Sequence, residues 1–112
     1  QKMISFDDFQ KIDIRVGTIL DSKFNDKSNK PSMILIIDFG SIIGIKKTSA
    51  QLNENYKPEE LIGMQIAAVV NFPPKQIGKM ISEVLVLGFP DEVNNPVLVT
   101  TSKKVNNGGK LF

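Results

Sequence analysis

Residues 64–89, MQIAAVVNFPPKQIGKMISEVLVLGF, constrain the fold more than any other stretch of this chain. Ile66 to Val70 and Val84 to Leu87 are unbroken apolar runs of strand length. A strand without polar alternation is covered on both faces, so two central strands are expected over 65–71 and 82–89. The loop between them has the opposite character. Asn71, Lys75, Gln76 and Lys79 supply polar groups, and Pro73 with Pro74 fixes the backbone φ so that the loop is stiff. A rigid polar loop carried by buried strands is the expected place for a binding site.

The remainder must fit into one domain spanning 1–112, because 112 residues suffice for one core and not for two. Its apolar runs fall far short of the roughly 20 residues that cross a bilayer. No leader opens the chain, so the expectation is a cytoplasmic protein without membrane insertion. Cysteine and histidine are both absent, which removes disulfides and the usual zinc ligands; no metal and no cofactor are expected. The net charge is +2 and the pI about 8.9, slightly below the value above ~9 typical of dedicated nucleic-acid domains. Thirteen of the fourteen cations are lysine and Arg15 is the only arginine, so an RNA partner is permitted but reading by several bidentate arginines is not.

From the amino end, SFDDFQK (5–11) predicts a short helix capped by Ser5, with Asp8 at the third helical position and Phe6 and Phe9 on one face. DIRVGTILDSKF (13–24) predicts a strand with Ile12, Ile14 and Val16 inward, Asp13 and Arg15 outward, and a bulge or sharp coil at Gly17. Residues 25–32 are turn material, and 33–39 and 43–52 predict two further strands. In YKPEELIG (56–63), Pro58 suits a first helical position, Glu59 and Glu60 the first turn and Gly63 the stop, leaving Leu61 and Ile62 as a plug. A short strand lies within 94–100, and the polar tail turns at 106–109 before ending on Leu111 and Phe112. Those two, with Phe6 and Phe9, are too apolar for free arms. Residues 1–12 and 103–112 are therefore expected to pack over the barrel or against a second copy.

Five strands with a short helix between the third and fourth is the order of an all-β Greek-key OB barrel; an SH3-like barrel is the alternative. In an OB barrel the loop after the fourth strand borders the ligand groove. That makes Asn71, Phe72, Pro74, Lys75, Gln76, Lys79 and Ser82 candidate contacts. Lys47, Ser49 and Gln51 share one face of the third strand and complete the set. Asn71 has a competing role in bracing loop backbone, Phe72 in the core, and the lysines as a solvated face. Arg15 is read first as the partner of Asp13, Asp38 or Glu83. Ile34 and Ile36 face outward if Met33, Leu35, Ile37 and Phe39 face in, and apolar groups there suit a polypeptide or a subunit better than phosphates. Catalysis is not expected: the Ser–Lys pairings Lys47/Ser49 and Lys79/Ser82 carry no sign of desolvation and no oxyanion or phosphate cradle.

DIRVGTIL, IDFG, IKKTSAQL, the 56–89 segment and the closing GGKLF together resemble the tRNA-binding OB-domain family, found at the carboxyl end of bacterial methionyl-tRNA synthetases and in free-standing proteins. The likeness extends from Phe6 to Phe112. Where the general family shows Ser-Glu-Gly-Met after the basic loop, this chain has Ser82, Glu83, Val84 and Leu85. That variant, NFPPKQIG and the KLF ending are similar to the CsaA-type export chaperones of the family. The resemblance implies a non-catalytic homodimer, joined through Phe6, Phe9, Leu111 and Phe112. Its partners would be unfolded or pre-secretory polypeptides in protein export and, by kinship, tRNA.

Overall fold

The computed structural model describes residues 2–25 and 30–112. The middle of the turn expected at 25–32 lies outside them. The amino arm begins with α1 (Phe6–Gln10), and its capping box forms as read: the Asp8 N–H donates to the Ser5 hydroxyl at 3.1 Å, and the Ser5 N–H to the Asp8 carboxylate at 3.2 Å. Hydrogen bonding to the Asp8 carboxylate by the Ser5 backbone N–H, then by the Ser5 side chain, with Lys11 adding to them, holds this carboxyl below its ordinary pKa.

Five strands make the main sheet: β1 (Ile14–Phe24), β2 (Met33–Asp38), β3 (Ile45–Ala50), β4 (Gln65–Val69) and, after a hairpin of β5 (Lys75–Ile77) and β6 (Met80–Ser82), the short β7 (Leu85–Val86). Their order is β3-β2-β1-β4-β7, with antiparallel pairing throughout. β1 is long enough to pair with β4 along its first half and with β2 along its second. Contacts from β3 to the 80–86 region bring the two edges together, giving a nearly closed five-stranded OB barrel. Alternation along β2 places Met33, Leu35 and Ile37 in the core, joined there by Ile19, Phe39, Ile66, Ala68, Val84 and Leu98.

One end of the barrel is plugged by α3 (Pro58–Leu61), whose start is fixed by Pro58 and by the Lys57 N–H donating to the Glu60 carboxylate at 3.0 Å. Leu61 is completely buried, a burial worth about 1.5 to 3 kcal/mol. Ile62, expected to share the plug, is half exposed because the chain leaves the helix after Leu61.

Four further expectations need correction. In β1 the core-facing positions are Gly17 and Ile19, so Ile14 and Val16 point to the opposite face. The β1–β2 register shift falls between Ile19 and Asp21 rather than at Gly17. Gly17 is required by packing instead: a Cβ there would lie 2.7 Å from both Ile37 Cγ2 and Phe39 Cδ1. The residues expected to be one strand over 82–89 are divided. β6 (Met80–Ser82) folds back on β5 (Lys75–Ile77), β7 joins the barrel, and β8 (Gly88–Pro90) pairs with β9 (Pro96–Leu98) as a separate hairpin. Between the second and third expected strands the chain forms the short helix α2 (Gly40–Ile43), so the third strand begins at Ile45 rather than at Ile43.

The β8–β9 turn is organised by Asp91. Its carboxylate accepts from the Asn55 amide and from the Asn95 and Val93 N–H groups, each at 2.9 Å, and these bonds, Asn55 foremost, lower its pKa. The tail returns along the opposite edge of the first half of β1, where Gly108 N–H donates to Val16 O at 2.8 Å and Leu111 N–H to Ile14 O at 2.8 Å. Gln65 holds it there, donating to Val105 O at 2.7 Å while its own carbonyl oxygen accepts the Val105 N–H at 3.0 Å.

Candidate binding groove

The loop after β4 is a small built structure. Gly78, at φ +62°, takes the first central position of the two-residue turn between β5 and β6, as a type II′ hairpin requires. Gln76 closes the hairpin, its amide donating to Gly78 O at 2.7 Å. The hairpin stands against the end of β3 and is attached to it mainly through side chains. The Ser49 N–H donates to the Ser82 hydroxyl at 3.2 Å, Ser82 and Thr48 share a 2.6 Å hydroxyl bond, and Thr48 donates to Val84 O at 2.6 Å. Just beyond, Glu83 N–H donates to Lys47 O at 2.9 Å and the Glu83 carboxylate accepts the Lys47 N–H at 2.9 Å.

Between this seam and the Pro-rich segment runs an open groove of about 720 Å³. Ser49, Gln51, Phe72, Pro74, Lys75, Gln76 and Ser82, all expected site residues, come together in its wall. Phe72 is half exposed, so its ring is available at the rim. The wall also contains Ile77, from the loop expected to border the groove, and Ser32, Glu83, Val84 and Leu85, which sequence reasoning did not select. A signal for Glu83 to Leu85 was present: Gly78-Lys79 between Ile77 and Met80 has the form of a hairpin turn, which would have folded them back toward the loop.

Three expected contacts lie elsewhere. Lys47 and Lys79 are exposed and outside the groove wall. Asn71 is spent on the amino arm: its carbonyl oxygen accepts the Asp13 N–H at 3.0 Å and its amide donates to Lys11 O at 2.8 Å. Arg15 pairs with Asp13 at 2.6 Å and also donates to Gly108 O at 2.9 Å, so it braces the tail. Ile34 and Ile36 are half-buried on the outer face of β2, opposite Ser49 and Lys47.

A second feature lies on the other side of the barrel. Ile14, Val16, Ala67, Val99, Leu111 and Phe112 line an apolar depression of about 440 Å³. It adjoins a smaller one formed by Phe6, Phe9 and Ile12 with the same Leu111 and Phe112. Phe6 and Phe112 are largely exposed, and the Phe6 and Phe9 rings sit 6.3 Å apart. The expected terminal residues are thus assembled into one surface. Among the described residues no helix is long and apolar enough to cross a membrane, and no cluster of three metal-ligating side chains occurs.

A small OB barrel with a hairpin-walled groove on one side and an apolar face on the other is a binding module. Residues 14–110 match the family described as "Putative tRNA binding domain", and the chain belongs to that family. Among solved structures it is similar to the chaperone CsaA from Bacillus anthracis str. Ames, with TM-score 0.92 and 43% identity over 99% of this chain and all of that one. It is also similar to the CsaA chaperone protein from Picrophilus torridus, with TM-score 0.90 and 49% identity over 98% of this chain and all of that one. Among curated proteins it is 37% identical to the methionine–tRNA ligase of Methanococcoides burtonii over 95% of this chain, yet it spans only 15% of that enzyme's length.

Proposed function

We propose that this chain is a cytoplasmic, non-catalytic, CsaA-type homodimer that holds extended segments of unfolded polypeptide, including pre-secretory chains in protein export, in the groove beside the β5–β6 hairpin. The observation that carries this reading is the composition of the groove wall. Phe72, Pro73, Pro74, Ile77, Val84 and Leu85 are apolar, the other polar groups are neutral, and the charges are one lysine and one glutamate, Lys75 and Glu83. Such a surface suits alternating side chains and amides; a strand of phosphates needs more cation and no carboxylate. The likeness to two chaperones named CsaA over essentially the whole of each chain supports the same reading.

The homodimer rests on the apolar face of Phe6, Phe9, Ile14, Val16, Leu111 and Phe112. Contiguous exposed apolar surface of this kind marks a protein contact, and a second copy presents the same face in return.

The second reading, a tRNA-binding auxiliary, is favoured by the family to which the chain belongs and by exposed Lys47 and Lys79 beside the groove. Titration with an unfolded polypeptide and with bulk tRNA at several salt concentrations separates the two. Polypeptide binding should be tight and nearly independent of salt. If phosphate contacts dominate, the log–log slope for tRNA becomes steeper by roughly 0.7 to 0.9 for each phosphate neutralised. Steep salt-dependent tRNA binding without measurable polypeptide binding would overturn the first reading.

A further inference from the structure

Gln65 and Asn107 form a short relay whose orientation the main chain dictates. The Val105 N–H can only donate, and it meets Gln65 Oε1 at 3.0 Å. The Gln65 amide nitrogen is thereby the donor, to Val105 O at 2.7 Å and to Asn107 Oδ1 at 3.1 Å, and the Thr18 hydroxyl donates to the same Asn107 oxygen at 2.7 Å. With that oxygen taken twice, Asn107 has only its Nδ2 left to offer. This nitrogen has no hydrogen-bond partner, and it keeps contact with solvent: among the described residues the buried side-chain atoms without a partner belong to Ser32 and Asn53.

The relay stands in the wall of an open cavity of about 790 Å³ between the start of β4 and residues 100–107. Lys103 and Lys104 are in the same wall, both exposed, and among the described residues neither has an ion-pair partner. The wall contains no aspartate or glutamate, whereas the groove beside the hairpin sets Glu83 against Lys75 and has no residue in common with this cavity. Leu20, Met64 and Val105 add apolar surface next to the donors. The cavity borders the apolar depression that ends on Phe112, but Lys103, Lys104 and Asn107 are not part of that face.

We propose that this cavity is a second binding site, for an RNA strand, with backbone phosphates on Lys103, Lys104 and Asn107 Nδ2 and a base or ribose against Leu20, Met64 and Val105. RNA and polypeptide then occupy different parts of the molecule. The proposal rests on the RNA-binding reading that the family supports, and not on the groove being the polypeptide site. Two cations and an amide donor without a carboxylate select an anion, and phosphates are the anions that an RNA repeats along its length. The Asn107 donor is held in place before any ligand arrives, so ordering it costs nothing on binding. Neighbouring apolar side chains give a nucleotide a contact that a plain polyanion does not use.

The test titrates the whole chain and its variants with bulk tRNA at several salt concentrations, and with a fluorescently labelled, reduced and carboxymethylated lactalbumin as the unfolded polypeptide. Lys103→Ala with Lys104→Ala should weaken tRNA binding roughly tenfold and flatten the log–log salt slope by about 1.4 to 1.8, at 0.7 to 0.9 for each lysine, with lactalbumin bound as before. Asn107→Asp keeps an oxygen for Thr18 and Gln65 while turning the free donor into a negative acceptor. It should lose tRNA binding and melt near the wild-type temperature. The rival pair, Lys47→Ala with Lys79→Ala, removes equal charge beside the groove. A tRNA loss confined to that pair, or equal in both pairs, overturns the proposal, as does a wild type that binds no tRNA. Displacement of tRNA by saturating lactalbumin, by adenosine monophosphate or by polyglutamate also overturns it, in favour of a shared site, a mononucleotide site or a general polyanion site. If Phe72→Ala leaves lactalbumin binding intact while the tail variants lose tRNA, the groove reading fails and this one stands.

Discussion

Replacing Asn71 by alanine removes two hydrogen bonds that tie the start of the groove loop to the amino arm, from Asp13 N–H at 3.0 Å and to Lys11 O at 2.8 Å. Both are neutral and lie at the exposed surface, so each is worth the lower part of the usual 0.5 to 1.5 kcal/mol, and the pair about 1 to 2 kcal/mol. In a domain of this size that is a fall in melting temperature of roughly 4 to 10 °C. The backbone bond from Val70 N–H to Asp13 O at 2.9 Å remains, so the arm should loosen without detaching. Because α1 carries Phe6 and Phe9, the same change should weaken self-association, while polypeptide affinity measured per folded subunit stays near that of the wild type. Scanning calorimetry, hydrogen exchange of the residue 5–13 amides and light scattering read the three consequences. An unchanged melting temperature with lost polypeptide binding would refute the reasoning and return Asn71 to the groove as a ligand contact.

Gly17→Ala should destabilise the barrel by about 1 to 3 kcal/mol, since the new methyl collides with Ile37 and Phe39. Pairing it with Phe39→Leu should recover part of that loss in a double-mutant cycle, and simple additivity in the melting curves would mean that packing is not the cause. Leu111→Glu should shift light scattering toward monomer with little effect on the groove; an undiminished dimer would remove the apolar face from the interface. Asp91, with its folded pKa below the ordinary carboxylate value, contributes stability that is present above that ordinary value and is lost as pH falls through the folded one. The gap in melting temperature between wild type and Asp91→Asn should therefore be full near neutrality and close in acid; a gap independent of pH would dismiss the carboxylate as its source.

Local signals with a single physical meaning were legible in the sequence. Ser5 with Asp8, Pro58 before Glu60, and the alternation of Met33, Leu35 and Ile37 each admit one arrangement, and each formed. The phase of β1 was not legible, because apolar groups stand on both of its faces. Ile14 and Val16 alternate as cleanly as core residues do, and only the returning tail shows that they belong to the outer surface. Gly17 was misread for the same reason: a glycine needed to admit Phe39 and one needed for a bulge look identical in one dimension. The loop residues were found, but their uses were set by distant partners. Asn71 answers to Lys11 and Asp13, 60 and 58 positions away, and Ser32 reaches the groove wall only because β2 and β3 pair as they do.

The seam between β3 and the β5–β6 hairpin has a consequence for selectivity. A backbone ladder fixes the spacing of its strands at one value, whereas the Ser82 hydroxyl, which joins the hairpin to Thr48 and to the Ser49 N–H, can rotate and exchange a bond for bridging water. Beyond the backbone bond from Glu83 N–H to Lys47 O that anchors the seam, the outer part of this wall should therefore yield to a bulkier segment at little cost to the barrel strands. Discrimination among client sequences should accordingly be shallow, with bulky and small side chains bound at comparable strength and the difference absorbed by the water content of the seam.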